Sequence, residues 1–300
     1  MKRLFLILMS VLLCSISKSE DTPHRNGLRF TEYSFPLKGD VEQIKIIGFA
    51  INPDDGTEYP EDTTLIKFNK NGDVTYIYPY VDYNYDVVCP TELYLFYNDL
   101  GDNTRIREIQ YLYEFELTIE YETRFTYNDS WQIIKGETYN EDGKIFHTEE
   151  YVYDSQGCLT TKKYIISGNE CVVYTYDNQM NVVEIEEYYD DKLFSKTLKT
   201  YNTEGKIKQE AVYYLNGLLD KMEIDRTVTY FYDDKGFLFS KEMKSPIPEA
   251  FLKYSKDSRT ETTDSWTYKC DAYGNVIEKI TYVTNTSRPR YRTEYRISYR

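Results

Sequence analysis

Tyr153-Asp154-Ser155-Gln156-Gly157-Cys158-Leu159 is one copy of a seven-position pattern: aromatic, Asn or Asp, any, any, Gly, any, aliphatic. It recurs as Phe68-Asn69-Lys70-Asn71-Gly72-Asp73-Val74, Tyr139-Asn140…Gly143…Ile145, Tyr176-Asp177…Met180…Val182, Tyr201-Asn202…Gly205…Ile207, Tyr232-Asp233…Gly236…Leu238 and Cys270-Asp271…Gly274…Val276. Weaker copies, Tyr97-Asn98…Gly101 and Tyr127-Asn128…Trp131…Ile133, fill the gap before residue 139. The Asx side chain can hydrogen-bond the backbone two residues on and start a type I turn, and glycine then takes the left-handed conformation of a bulged three-residue hairpin loop. In that register the Asx residue pairs with the residue after glycine, so the aromatic lies opposite the aliphatic, a contact worth about 0.2–1 kcal/mol.

Short spacings between copies fit one strand and a turn. Longer ones fit a hairpin with a return strand, as at Asp190-Asp191 or Asn216-Gly217. Between turns the pattern has period two: Arg288, Arg290, Arg292, Glu294 and Arg296 face one way and Tyr291, Thr293, Tyr295 and Ile297 the other, which reads as a solvated outer face on a capping strand. Val41 to Ala50 reads as a strand and Asn52-Pro53-Asp54-Asp55-Gly56 as a turn, so they start the same sheet. Pro246 and Pro248 mark a loop or an edge. The expected fold is all-β: an elongated antiparallel β-hairpin repeat array, a curled or coiled sheet.

Composition supports this reading. Of 300 residues 33 are tyrosine, so the aliphatic core is thin, while alanine, the best helix former, occurs only at 50, 211, 250 and 272. A net charge of −14 speaks against nucleic acid as a partner, because phosphate contacts need a dense positive surface.

Lys2 and Arg3 precede the apolar run Leu4 to Leu13, the layout of a secretory signal and too short to span a bilayer. Ser17 and Ser19 suit cleavage before Glu20. An alternative processing site is Cys14, as a lipidation site, although Leu12 and Leu13 stand where a lipobox has a small residue. The expected organisation is a signal peptide over 1–19, lead-in strands over 20–60 and the β-repeat array over 61–300. The mature chain is expected at the periplasm, the outer-membrane surface or outside the cell. It would keep Cys89, Cys158, Cys171 and Cys270. A tight turn at Gly168-Asn169 would set Cys171 opposite Ile166, roughly 26 Å from Cys158, so free thiols are expected there.

The Tyr-Asp-x-x-Gly-x-Leu turn, as in Tyr153 to Leu159 and Tyr232 to Leu238, resembles the YD repeat of the Rhs family of bacterial envelope and secreted proteins. The stretch Tyr268 to Asn275, followed by Arg292-Thr293-Glu294-Tyr295, resembles short Bacteroides-type exported members. The resemblance covers about residues 60–300. It implies a curling antiparallel array and an association with carbohydrate. The core segment and C-terminal toxin domain of the large members have no counterpart here, so toxin activity is not implied.

No nucleophile elbow, HExxH or phosphate-binding glycine loop is present, His24 and His147 are too scattered for a zinc site, and carboxylate pairs among 50 acidic residues carry no specificity. Asn69, Asn71 and Asp73 are explained by an Asx turn without calcium. No cofactor or metal is therefore expected, and the chain reads as non-enzymatic. Repeat tyrosines such as Tyr153 and Tyr176 occupy structural slots. Better ligand candidates are the off-pattern Tyr76, Tyr78, Tyr80, Tyr83, Tyr85, Tyr111 and Tyr113, whose rings can stack on sugars. The expected partner is a glycan, or alternatively another envelope protein in a purely structural or interaction role.

Overall fold

The computed structural model describes residues 37–80, 91–112, 117–165, 170–216, 221–245, 261–283 and 288–300. Every regular element among them is a strand: β1 (Val41–Ile51), β2 (Glu58–Phe68), β3 (Val74–Tyr80), β4 (Thr91–Tyr97), β5 (Asn103–Leu112), β6 (Leu117–Tyr127), β7 (Ile133–Asn140), β8 (Ile145–Tyr153) and β9 (Leu159–Ile165). The second half supplies β10 (Glu170–Tyr176), β11 (Val182–Tyr189), β12 (Lys192–Tyr201), β13 (Ile207–Asn216), β14 (Lys221–Tyr232), β15 (Leu238–Lys244), β16 (Glu261–Cys270), β17 (Val276–Val283) and β18 (Pro289–Tyr299).

The turns form as their residues dictate. In each copy the Asx N–H donates to the carbonyl of the residue after the glycine position, and the glycine-position N–H donates back to the Asx carbonyl, as for Asp154 with Cys158 (2.9 Å) and Gly157 (3.1 Å). Gly157 has φ +83°, and where glycine is missing Met180 and Trp131 are held at +66° and +58°. The aromatic faces the aliphatic as expected, as in Tyr153↔Leu159, Phe68↔Val74 and Tyr232↔Leu238.

The expected elongated, curled or coiled array is incorrect. Consecutive strands pair antiparallel throughout, and β1 pairs with β18 as well as β2, so the 18 strands close into an up-and-down barrel. At the seam Ile44 lies opposite both Ile66 and Ile297, and Ile46 opposite Thr64 and Tyr295. A Cβ on Gly48 would come within 1.9 Å of Asp62 Oδ1, so a larger residue there would displace the Asp62 carboxylate. Closure follows from accumulated stagger. Tracing residue partners once round the sheet returns to β1 displaced by about 20 residues, the shear of tilted strands in a closed barrel, and closing removes both sheet edges.

Alternation divides the wall. The inner face carries Ile44, Ile66, Leu93, Leu95, Ile106 and Tyr295, which form the main apolar cluster with Val41, Phe68 and Val74. Further round, the inner face mixes buried Tyr164, Tyr174, Val212 and Val228 with polar side chains: Thr123 and Thr138 share a hydroxyl hydrogen bond of 2.8 Å, and the ion pairs Lys199–Glu210 (3.0 Å) and Lys241–Asp264 (3.3 Å) follow. The outer face carries ion pairs on strand after strand, including Arg105–Glu122, Arg107–Glu120, Lys135–Glu137, Lys196–Glu184, Lys269–Glu278 and Arg292–Glu58.

Eight of the Asx turns lie at one end of the barrel. The turn between β7 and β8 is at the other, because a single strand separates it from the turn before. At the first end tyrosine hydroxyls tie each hairpin to its predecessor: Tyr97 donates to the Val74 carbonyl (2.6 Å), Tyr153 to Ile133 (2.8 Å), Tyr176 to Leu159 (2.7 Å), Tyr201 to Val182 (2.7 Å) and Tyr232 to Ile207 (3.0 Å). Among the described residues Cys158, Cys171 and Cys270 form no disulfide, and the first two are half-buried. The register beside Cys171 differs from the expected one: its partner is Lys163, not Ile166. The signal segment, Cys14, Cys89, Gly217, Pro246 and Pro248 lie outside the described residues.

Candidate recognition surface

β3, β4 and β5 alternate so that Tyr76 and Tyr78, Glu92 and Tyr94, and Arg107 and Tyr111 share the outer face. Tyr76 and Tyr94 are direct cross-strand partners with ring centroids 5.0 Å apart and planes inclined at 57°. The Lys67 ammonium lies 5.1 Å from the Tyr76 ring and the Arg107 guanidinium 6.0 Å from the Tyr94 ring. Glu92 gathers the group: its carboxylate accepts hydrogen bonds from the Tyr94 hydroxyl and from the Tyr111 hydroxyl, the latter at 2.8 Å. Those hydrogen bonds, with burial and the carboxylate charge added, push both phenols up to about 12. Burial first, then Glu92, raises Tyr76. The hydroxyls therefore stay protonated donors at any physiological pH, while the ring faces remain half-exposed.

Three of the seven expected tyrosines, Tyr76, Tyr78 and Tyr111, thus reach one patch. Tyr80 is in β3 but its side chain, like all of Tyr83, Tyr85 and Tyr113, lies outside the described residues. Tyr94 and Glu92 complete the patch and were missed in the sequence. The signal was there: Thr91 to Tyr97 alternates, which sets Tyr94 on the face opposite Leu93 and Leu95, but only the β3–β4 register sets it against Tyr76.

Arg107 joins the patch to its neighbour. It makes two bonds to Glu120, Nε–Oε1 at 2.5 Å and Nη2–Oε2 at 2.8 Å, and that guanidinium holds the Glu120 carboxyl below its ordinary range. Beyond it is a shallow concavity of about 540 Å³ lined by Glu120, Glu122, Arg124, Tyr139, Asn140, Glu141 and Gly143. Tyr139 faces it because the β7–β8 turn is inverted end for end. The hairpin geometry that points the other repeat aromatics inward points this one outward, and its partner Ile145 is 47% exposed. The Tyr139 hydroxyl donates to Glu137 Oε2 (3.2 Å) and its ring receives Arg124 at 4.7 Å.

A second constellation is internal. Glu149 and Lys162, each 1% exposed, are diagonal neighbours on β8 and β9 with Lys162 Nζ 3.0 Å from Glu149 Oε1. The alignment is too poor for a hydrogen bond, so the contact is Coulombic. His147 Nε2 approaches the same oxygen at 3.5 Å, Tyr151 donates to Oε2, and Lys162 stands over the Tyr151 and Tyr164 rings at 5.4 and 4.6 Å. Every member is engaged by another, an arrangement that locks strands together.

No family model matches the chain, and no curated protein matches it. Solved structures do. A porin-like protein from Bacteroides uniformis is 14% identical and covers 87% of this chain and 99% of its own, with a TM-score of 0.44. A porin-like protein from Bacteroides vulgatus is 9% identical, covering 88% and 99%, with a TM-score of 0.35. The Photorhabdus luminescens Tc holotoxin pore is 12% identical over 86% of this chain and 16% of its own, with a TM-score of 0.29.

Proposed function

We propose that this chain is a non-enzymatic, exported barrel of the YD-repeat type that stands in water and presents the β3–β5 tyrosine patch to carbohydrate at the cell envelope. The observation that carries the reading is the convergence of Tyr76, Tyr94 and Tyr111 around the Glu92 carboxylate. Aromatic faces stack on the apolar faces of sugar rings, and the oriented phenols and carboxylate supply donors and acceptors to ring hydroxyls. Export rests on the leading charged and apolar segment.

Water on the outside follows from the wall itself. A barrel that crosses a bilayer needs an outward apolar band about 25 Å tall, whereas the outer strands here alternate Arg105, Arg107, Glu120, Glu122, Arg124, Lys135 and Glu137 at mid-wall.

Titration calorimetry of the mature chain against a panel of envelope and plant polysaccharides tests this. Binding to at least one is expected, with Tyr94→Ala weakening it about fivefold, the loss of one stacked ring. Exposed Tyr189 on β11, changed to alanine, should leave affinity unaltered. Absence of binding to every polysaccharide would overturn the proposal.

A further inference from the structure

Tyr139 is a repeat tyrosine without the repeat's usual task. Its counterparts Tyr97, Tyr153, Tyr176, Tyr201 and Tyr232 each donate to a backbone carbonyl of the preceding hairpin, but the inverted β7–β8 turn directs Tyr139 outward, over the concavity, with its hydroxyl on Glu137. The pairing places it in line with the tyrosine patch. Tyr76 pairs with Tyr94, Tyr94 with Arg107, Arg107 with Glu122 and Glu122 with Tyr139, a straight row across β3 to β7.

We infer that this row is one continuous groove for an uncharged polysaccharide segment, lying across the strands with the Tyr76–Tyr94 pair under one end and Tyr139 under the other. The inference rests on the carbohydrate reading and adds the length and charge class of the ligand. At about 4.8 Å per strand the four steps span roughly 19 Å, the reach of about four linked hexose rings.

Charge decides the class. The guanidiniums along the row are paired, Arg107 with Glu120, and Arg105 (3.1 Å) and Arg124 (2.7 Å) with Glu122, while Glu92 holds the Tyr94 and Tyr111 hydroxyls and Glu141 Oε1 accepts the Glu120 backbone N–H at 3.0 Å. The row offers many fixed donors and acceptors, its guanidiniums are paired, the one ammonium beside it, Lys67, lies over the Tyr76 ring at 5.1 Å, and the molecule's net charge of −14 opposes a polyanion at longer range.

The test is calorimetry of the full mature chain with neutral oligosaccharides, from disaccharide to hexasaccharide, of whichever polysaccharide binds, alongside a polyuronide of similar length. Affinity should rise about tenfold from disaccharide to tetrasaccharide and then level off, as added rings find added stacking partners. Tyr139→Ala should lower the tetrasaccharide to the disaccharide's affinity and leave the disaccharide unchanged, and Tyr139→Phe should keep the gain. Length-independent binding that Tyr139→Ala does not touch overturns the groove while leaving the tyrosine patch standing, as does tighter binding of the polyuronide. Loss of all binding, the disaccharide included, in the unaltered chain would instead remove the patch beneath it.

Discussion

Glu149 shows how a single residue can hold a wall together at neutral pH and release it in acid. Burial alone pushes its carboxyl up. His147, the Lys162 ammonium and the Tyr151 hydroxyl outweigh that and bring it from 4.5 down to about 2. A carboxyl whose value falls on folding contributes stability that is present above about 4.5 and is lost as pH falls toward 2. Urea denaturation across that interval should therefore show stability declining with acid. Glu149→Gln should remove that slope and, by leaving Lys162 buried without a counter-charge, cost about 3 kcal/mol at neutral pH. An unchanged acid slope in the variant would assign the effect to other carboxylates. That His147, Glu149 and Tyr151 share one face was legible from alternation. That this face is the closed interior was not, because it depends on how the strands sit in a ring, whereas the hairpin register alone sets Lys162 opposite Tyr151 and diagonal to Glu149.

At the scale of the hairpin, the motif does more than turn the chain. Its aromatic ring packs within its own hairpin while the phenol reaches back to the preceding one, satisfying a carbonyl at the rim where the strand ladder ends. Tyr201→Phe, which strips the hydroxyl from the Val182 carbonyl, should lower stability by about 1 kcal/mol. Tyr139→Phe, which touches no carbonyl, should be neutral. Equal urea midpoints for the two variants would mean that the rim bonds carry no net stability. The seven positions predicted the turn, its register and the aromatic–aliphatic pair correctly, since all three are set within a few residues. They did not say which way the aromatic points. That depends on whether a copy sits at the crowded end or the opposite end, a parity set by the number of strands between copies, and one odd interval sends Tyr139 outside.

Over the whole molecule, closure decides whether the sheet has edges. β1 and β18 are more than two hundred residues apart, and their seam is clamped on the outside by Arg292, which makes two 2.8 Å bonds to Glu58 and lies 4.1 Å over the Phe49 ring, and at the rim by Arg300, which donates to the Phe68 and Asn69 carbonyls at 2.7 and 2.8 Å. Removing residues 289–300 would open β1 and β17 as unpaired edges with the apolar cluster of Ile44 and Ile66 beside one of them. The truncated chain should elute as large oligomers in size-exclusion chromatography while the full mature chain stays in solution without detergent. A monodisperse truncated monomer would show that the sheet needs no closure.

The sequence by itself determined the local geometry of this protein: Asx–Gly corners, the register of the hairpins they close and the alternation of faces along each strand, because each is fixed by interactions between residues a few positions apart. Only the tertiary structure decided that the sheet is a ring, which face is inside it, and that Tyr76, Tyr94, Glu92 and Tyr139 lie along one surface. Those depend on a stagger of about one residue per strand, too small to read at any single hairpin, that becomes a closed wall only when summed over all 18 strands.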